Sequence, residues 1–98
     1  MTTITRHLLA VEPDAVTTHI EAGQQRLIRL RRRALIAECR RYATRARRAR
    51  LRGLLADIRS IGHQLDALDP TAPEATDVIK AATRLMDSIH RDLELCGA

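Results

Sequence analysis

Arginine is the residue type with the clearest capacity for chemistry in this 98-residue sequence. Residues 25–52 contain twelve arginines, no lysine and a single acidic residue, Glu38. Each guanidinium stays charged at physiological pH and presents a planar fork of N–H donors that matches the oxygens of phosphate and carboxylate groups. A segment of this composition indicates either a surface for polyanions or one half of an ion-paired interface.

The spacing of these arginines divides them between two faces of a predicted helix. On the first face they recur at intervals of three, four, seven and seven residues, and the second face begins at Arg41. Two such rows could follow a phosphate backbone, and the single aromatic residue, Tyr42, gives bases almost no stacking platform. We therefore expect contacts with duplex phosphates or with an acidic protein partner. The predicted binding residues are Arg26, Arg29, Arg33, Arg40, Arg41, Arg45 and Arg47.

The other reactive residue types form no catalytic or metal-binding pattern. The four histidines and two cysteines show no CxxC, HxxxH or HxxxC spacing, so neither a metal site nor a cofactor is predicted. Ser60 and Ser88 lack a histidine–acid arrangement at a useful spacing, and there is no glycine-rich phosphate loop. We expect a binding protein and not an enzyme.

Charge is distributed unevenly along the chain. The net charge is −2 over residues 1–25, +11 over residues 26–52 and −4 over residues 53–98, which gives +5 in total. The acidic last third could neutralise part of the basic run, and Asp92 and Glu94 are expected beside Arg48 and Arg50. No acidic run is expected opposite the arginines between residues 26 and 47.

The predicted fold is all-α, because strand-forming residues are sparse and Phe and Trp are absent. Apolar residues recur at helical spacing from residue 14 onwards, and the only strong turn is Asp69-Pro70-Thr71-Ala72-Pro73. We predict one helical domain over residues 1–98, with an N-terminal arm (1–13), a long helix (14–68), a turn (69–73) and a C-terminal helix (74–96). The short turn makes the last two helices an antiparallel hairpin.

Helix length predicts the oligomeric state. The long helix would extend about 80 Å and the last helix only roughly 35 Å, so about thirty residues of the long helix would lack a partner within the chain. We predict a coiled-coil-like homodimer that covers them. The alternative is a three-helix bundle, with a break near Tyr42–Arg48. The residues predicted at the dimer interface are Ile20, Leu27, Leu30, Ala34 and Ala37.

The first functional hypothesis is a sequence-nonspecific binder of duplex nucleic acid that uses the arginine-rich helix. The alternative is a small protein-interaction module or inhibitor whose basic face docks on an acidic protein, and a purely structural coiled-coil assembly is a third possibility. No apolar stretch has the length of a signal peptide or membrane span, and the two cysteines read as reduced thiols. We therefore expect a cytoplasmic protein with no membrane partner.

Overall fold

The computed structural model describes residues 13–40 and 44–97, which form three α-helices and no strand. The helices are α1 (Pro13–Glu38), α2 (Arg45–Asp66) and α3 (Ala75–Leu95). The predicted all-α class is confirmed. The arm predicted over residues 1–13 lies outside the described residues apart from Pro13, and so does Tyr42. In the ranges that are described, no helix has both the length and the apolar character needed to cross a membrane.

The single long helix predicted over residues 14–68 is wrong, because the chain forms α1 and α2 as separate helices. At the end of α1, the Arg40 N–H bonds the Ala37 carbonyl three residues back, which tightens the last turn. Thr44 is extended (φ −70°, ψ 161°), and its hydroxyl accepts the Arg47 N–H at 3.1 Å as the N-cap of α2. Each half of the predicted helix has its own apolar stripe, and folding back buries both stripes within one chain. The alternative three-helix bundle fits the structure.

Two polar contacts fix the register of α1 against α2. The Gln24 amide donates to the Asp66 carboxylate at 2.6 Å near one end, and Arg52 donates to the Glu38 carboxylate at 2.9 Å near the other. In both pairs the residue numbers add to 90, so the two helices are antiparallel and in one constant register over about 21 Å of their length.

Two ion pairs fix α3 against α1. Arg26 contacts Asp87 and Arg33 contacts Glu94, each at 2.7 Å. Both pairs are separated by 61 residues, so α1 and α3 are parallel. Helix α1 is the central element, since it packs extensively on both other helices, while α2 and α3 touch each other less.

The core is aliphatic and lies on the facing stripes of the three helices. The residues predicted at a dimer interface, Ile20, Leu27, Leu30, Ala34 and Ala37, are all buried within this single-chain core. The stripe from which a second chain was inferred is therefore covered from within the chain. The remaining buried hydrophobic residues are Val16, Leu51, Leu54, Ile58, Ile61, Leu65, Ala75, Ala82, Met86, Ile89, Leu93 and Cys96.

The turn between α2 and α3 lies close to the position predicted from the sequence. The sequence predicts a turn at residues 69–73 and a helix at residues 74–96. In the structure α2 ends at Asp66, and α3 begins at Ala75 and ends at Leu95. The Asp69 carboxylate accepts hydrogen bonds from the Thr71 hydroxyl at 2.7 Å and the Thr71 N–H at 2.9 Å. These two bonds lower the pKa of Asp69 below its ordinary value. They pin the chain where it reverses direction.

Candidate arginine surface

Three of the seven predicted binding arginines are engaged within the bundle. Arg26 and Arg33 form the ion pairs with α3, and Arg33 also contacts His90 Nδ1 at 3.1 Å. The hydrogen bond and charge of Arg33 lower the pKa of the Glu94 carboxyl. Arg40 donates to the backbone carbonyl of Gly97, beyond the end of α3. These side chains help to hold α3 in place and are not free to contact a partner without giving up those bonds.

Six other arginines of the basic run make no ion pair or hydrogen bond through their side chains to any described residue. Three of them, Arg29, Arg45 and Arg47, belong to the predicted set, and all six are exposed. Arg41, the seventh predicted residue, lies outside the described residues. Excess positive charge therefore remains at the surface after the intramolecular pairs are formed. The six unpaired arginines are Arg29, Arg31, Arg32, Arg45, Arg47 and Arg48.

Three of these arginines lie in the first turns of α2. Every residue from 44 to 50 is exposed, so this segment projects past the packed part of the bundle. Arg50 contacts Asp92 at 3.2 Å, as expected. The expected position of Glu94 beside Arg48 is wrong, since Glu94 pairs with Arg33 of α1. The first turn of α2 contains Arg45 and no acidic residue. Cations near a helix N-terminus oppose the helix dipole, so helix stability does not explain their presence.

A second basic feature lies in a groove of about 780 Å³ between α1 and α2. Its apolar lining includes Ile28, Leu35 and Leu55, and Arg31 and Arg59 lie on opposite walls. The constant α1–α2 register places Arg31 directly across from Arg59. Neither guanidinium forms an ion pair with the part of the chain that is described.

The sequence reasoning missed this arginine pair. Arg59 lies outside the arginine-dense run, and its position opposite Arg31 exists only because α2 folds back on α1. The helix ends alone would not have revealed it, because Glu38 and Arg45 give residue numbers that add to 83 and would place Arg31 opposite Arg52.

Among the described residues, no group of three or more His, Cys, Asp or Glu side chains is placed to hold a metal ion. Cys39 is exposed, Cys96 is buried, and both are free thiols. His63 lines the groove, and His90 lies 3.7 Å from Glu94 on α3.

Comparison of the chain with protein-family models, curated proteins and solved structures gave no match in any of the three.

Proposed function

We propose that the protein is a non-enzymatic, sequence-nonspecific binder of duplex nucleic acid. The observation that carries this proposal is the projecting start of α2, where Arg45, Arg47 and Arg48 are exposed and unpaired among the described residues. A phosphate backbone would compensate this charge, since guanidinium groups bind phosphate oxygens through paired hydrogen bonds.

The main contact residues in this proposal are the three arginines at the start of α2, whose side chains have no partner among the described residues. Arg29 and Arg32 on α1 supply further positive charge on the same long basic segment. Phosphate contacts carry no sequence information, and the chain has almost no aromatic side chains for base stacking, so binding is expected to be indifferent to sequence.

A purely structural role accounts for only part of the basic run. Arg26, Arg33, Arg50 and Arg52 are paired with carboxylates, as that role requires. Exposed pairs of this kind contribute about 0.2–1 kcal/mol each. The unpaired arginines contribute no such pairing and leave a concentrated positive field, which favours a polyanionic partner.

A homodimer is a separate proposal, which the exposed surface supports only weakly. Its predicted interface is buried within one chain, so a dimer would have to use an exposed face such as the groove between α1 and α2. The proposed location is the cytoplasm, where free thiols such as Cys39 stay reduced.

The test is fluorescence anisotropy with a labelled duplex DNA and a labelled duplex RNA, titrated over a range of salt concentrations. Wild-type protein should bind with an affinity that falls steeply with salt. Replacing Arg45, Arg47 and Arg48 by Gln should reduce the slope of log K against log salt by about 2.7, at roughly 0.9 per lost phosphate contact.

The control variant removes the same charge elsewhere, with Lys80, Arg84 and Arg91 of α3 replaced by Gln. These three side chains are exposed and make no ion pair with other described residues, so the control should keep the wild-type slope. Absence of wild-type binding at low salt would refute the nucleic-acid proposal. Equal slopes for the two variants would refute the assignment to the start of α2.

A further inference from the structure

We propose that the groove between α1 and α2 is a docking site for an amphipathic helix of a partner protein, with an acidic residue of that helix bound between Arg31 and Arg59. This goes beyond nucleic-acid binding, because it uses a different surface and a different class of partner. The order of the residues along the groove defines the ligand.

The groove has a closed polar contact near each end. Gln24 bonds Asp66 at one end and Arg52 bonds Glu38 at the other, so those groups already have partners. Between these contacts lies a length of about 21 Å, which corresponds to roughly four turns of a helix. The site therefore has the length of a short docked helix.

Between the two ends, the register gives an apolar, then a charged, then an apolar pair. Ile28 faces Gly62, Arg31 faces Arg59, and Leu35 faces Leu55. Ile28 and Leu35 are 52% and 36% exposed, which leaves a substantial apolar area uncovered.

Gly62 widens the groove opposite Ile28. A Cβ atom at Gly62 would meet only the end of the Leu27 side chain, at 3.9 Å, so the space there is available to a partner side chain. The spacing of three and then four residues along α1 matches the spacing of side chains on one face of a second helix laid beside it.

The central arginine pair determines the chemistry of the partner. Two guanidinium groups on opposite walls repel each other unless an anion lies between them, and a carboxylate accepts hydrogen bonds from both. The apolar pairs on either side require apolar side chains about one turn away. The complementary ligand is therefore a helix with an apolar residue at position i, Asp or Glu at i+3 and an apolar residue at i+7.

Charge also distinguishes this ligand from the other possible occupants. A second copy of the chain docked groove to groove would bring four guanidinium groups together, which is unfavourable without an added anion. A nucleic-acid backbone would satisfy the arginines but would leave the apolar lining of Ile28, Leu35 and Leu55 without a complementary surface. The acidic amphipathic helix satisfies both features.

The experiment uses the full chain and a capped, fluorescently labelled helical peptide of about 18 residues. The peptide carries Leu, Glu and Leu at positions i, i+3 and i+7 of one stripe, and a matched peptide has Lys in place of Glu. Anisotropy gives the affinity, and ¹⁵N NMR chemical-shift changes identify the residues at the contact. We expect the Glu peptide to bind and to shift the amides of Ile28, Leu35 and Leu55.

Charge reversal provides the decisive comparison. The variant Arg31→Glu with Arg59→Glu should lose at least about tenfold in affinity for the Glu peptide, since two charge-assisted hydrogen-bonding groups are removed. The same variant should gain affinity for the Lys peptide. The matched control, Arg84→Glu with Arg91→Glu on α3, should bind both peptides as the wild type does.

Four outcomes would overturn the proposal. These are absence of Glu-peptide binding, an equal loss of affinity in the groove variant and the control, shift changes confined to another surface, and wild-type self-association that the groove variant abolishes. Duplex DNA titrated against the same variants separates this proposal from the previous one. Nucleic-acid binding should depend on the arginines at the start of α2, so the Arg31/Arg59 variant and its control should bind duplex DNA equally well. A loss of DNA binding in the groove variant alone would assign the groove to nucleic acid instead.

Discussion

Two glycines give a direct test of the three-helix packing, because they lie in similar helical positions with different surroundings. Gly53 is in the middle of α2, and a Cβ atom there would meet nothing within 4 Å. Gly23 is in the middle of α1, and its Cβ atom would lie 3.0 Å from a Leu65 methyl of α2 and 3.6 Å from Met86 Cε of α3. Gly23 thus lies where all three helices approach one another.

The expected magnitudes follow from helix propensity and packing. Gly→Ala inside a helix gains about 0.8–1 kcal/mol where the added methyl is unobstructed, so Gly53→Ala should stabilise the protein by that amount. At Gly23 the same gain is offset, since an extra methyl in a packed region costs about 1–3 kcal/mol. Gly23→Ala should therefore be no more stable than wild type and at least about 1 kcal/mol less stable than Gly53→Ala.

The assay is equilibrium urea unfolding followed by circular dichroism at 222 nm, with the slope of the free energy against urea checked for constancy between variants. In the long continuous helix that the sequence suggested, Gly23 would have no contact with Leu65 or Met86 of its own chain. Equal stabilisation by the two substitutions would therefore refute the packing of α2 and α3 around Gly23.

Two further predictions test the core and the α1–α3 contact. Leu93→Ala should cost about 2–5 kcal/mol because Leu93 is 0% exposed, whereas Leu95→Ala, at a 78% exposed position, should change the unfolding free energy by less than about 0.5 kcal/mol. Similar urea midpoints for the two would contradict the assigned helix face. The pKa of Glu94 is lowered by the hydrogen bond and charge of Arg33, so its carboxylate stabilises the fold above the ordinary pKa of a glutamate, and this contribution is lost as the pH falls through the lowered pKa. Arg33→Gln should raise the pKa of Glu94 towards its ordinary value in an NMR carboxyl titration, and an unchanged pKa would contradict the ion pair.

Local features of the fold could be predicted from the sequence. The two prolines at 70 and 73 mark the turn, and the apolar periodicity of α3 places its ends within one residue of the structure. The hairpin register that follows from this short turn also placed Asp92 beside Arg50, as observed. Such features depend on neighbouring residues, and so they can be read along the chain.

The break between α1 and α2 could not be read in the same way. No Gly or Pro lies between residues 24 and 52, and Thr44 is followed three residues later by Arg47 in place of the Glu or Gln of a capping box. The break is favoured by burial of the two apolar stripes against each other, which is a property of the folded chain and not of the local sequence. The ion pairs of Arg26 and Arg33 with α3 depend on that fold-back, so they were missed with it.

The same dependence explains why the arginines that are available to a partner are better identified from the structure than from their spacing. Helical spacing grouped Arg26 and Arg33 with Arg29, although the first two hold α3 in place and the third has no ion pair among the described residues. Conversely, Arg31 and Arg59 are unremarkable in the sequence and become a facing pair of like charges only in the bundle. An arrangement that opposes local stability, with no compensating partner among the described residues, is expected at a functional site. The start of α2 and the centre of the groove both have this character, and for this reason we propose a phosphate backbone as the partner of the first and a protein helix as the partner of the second.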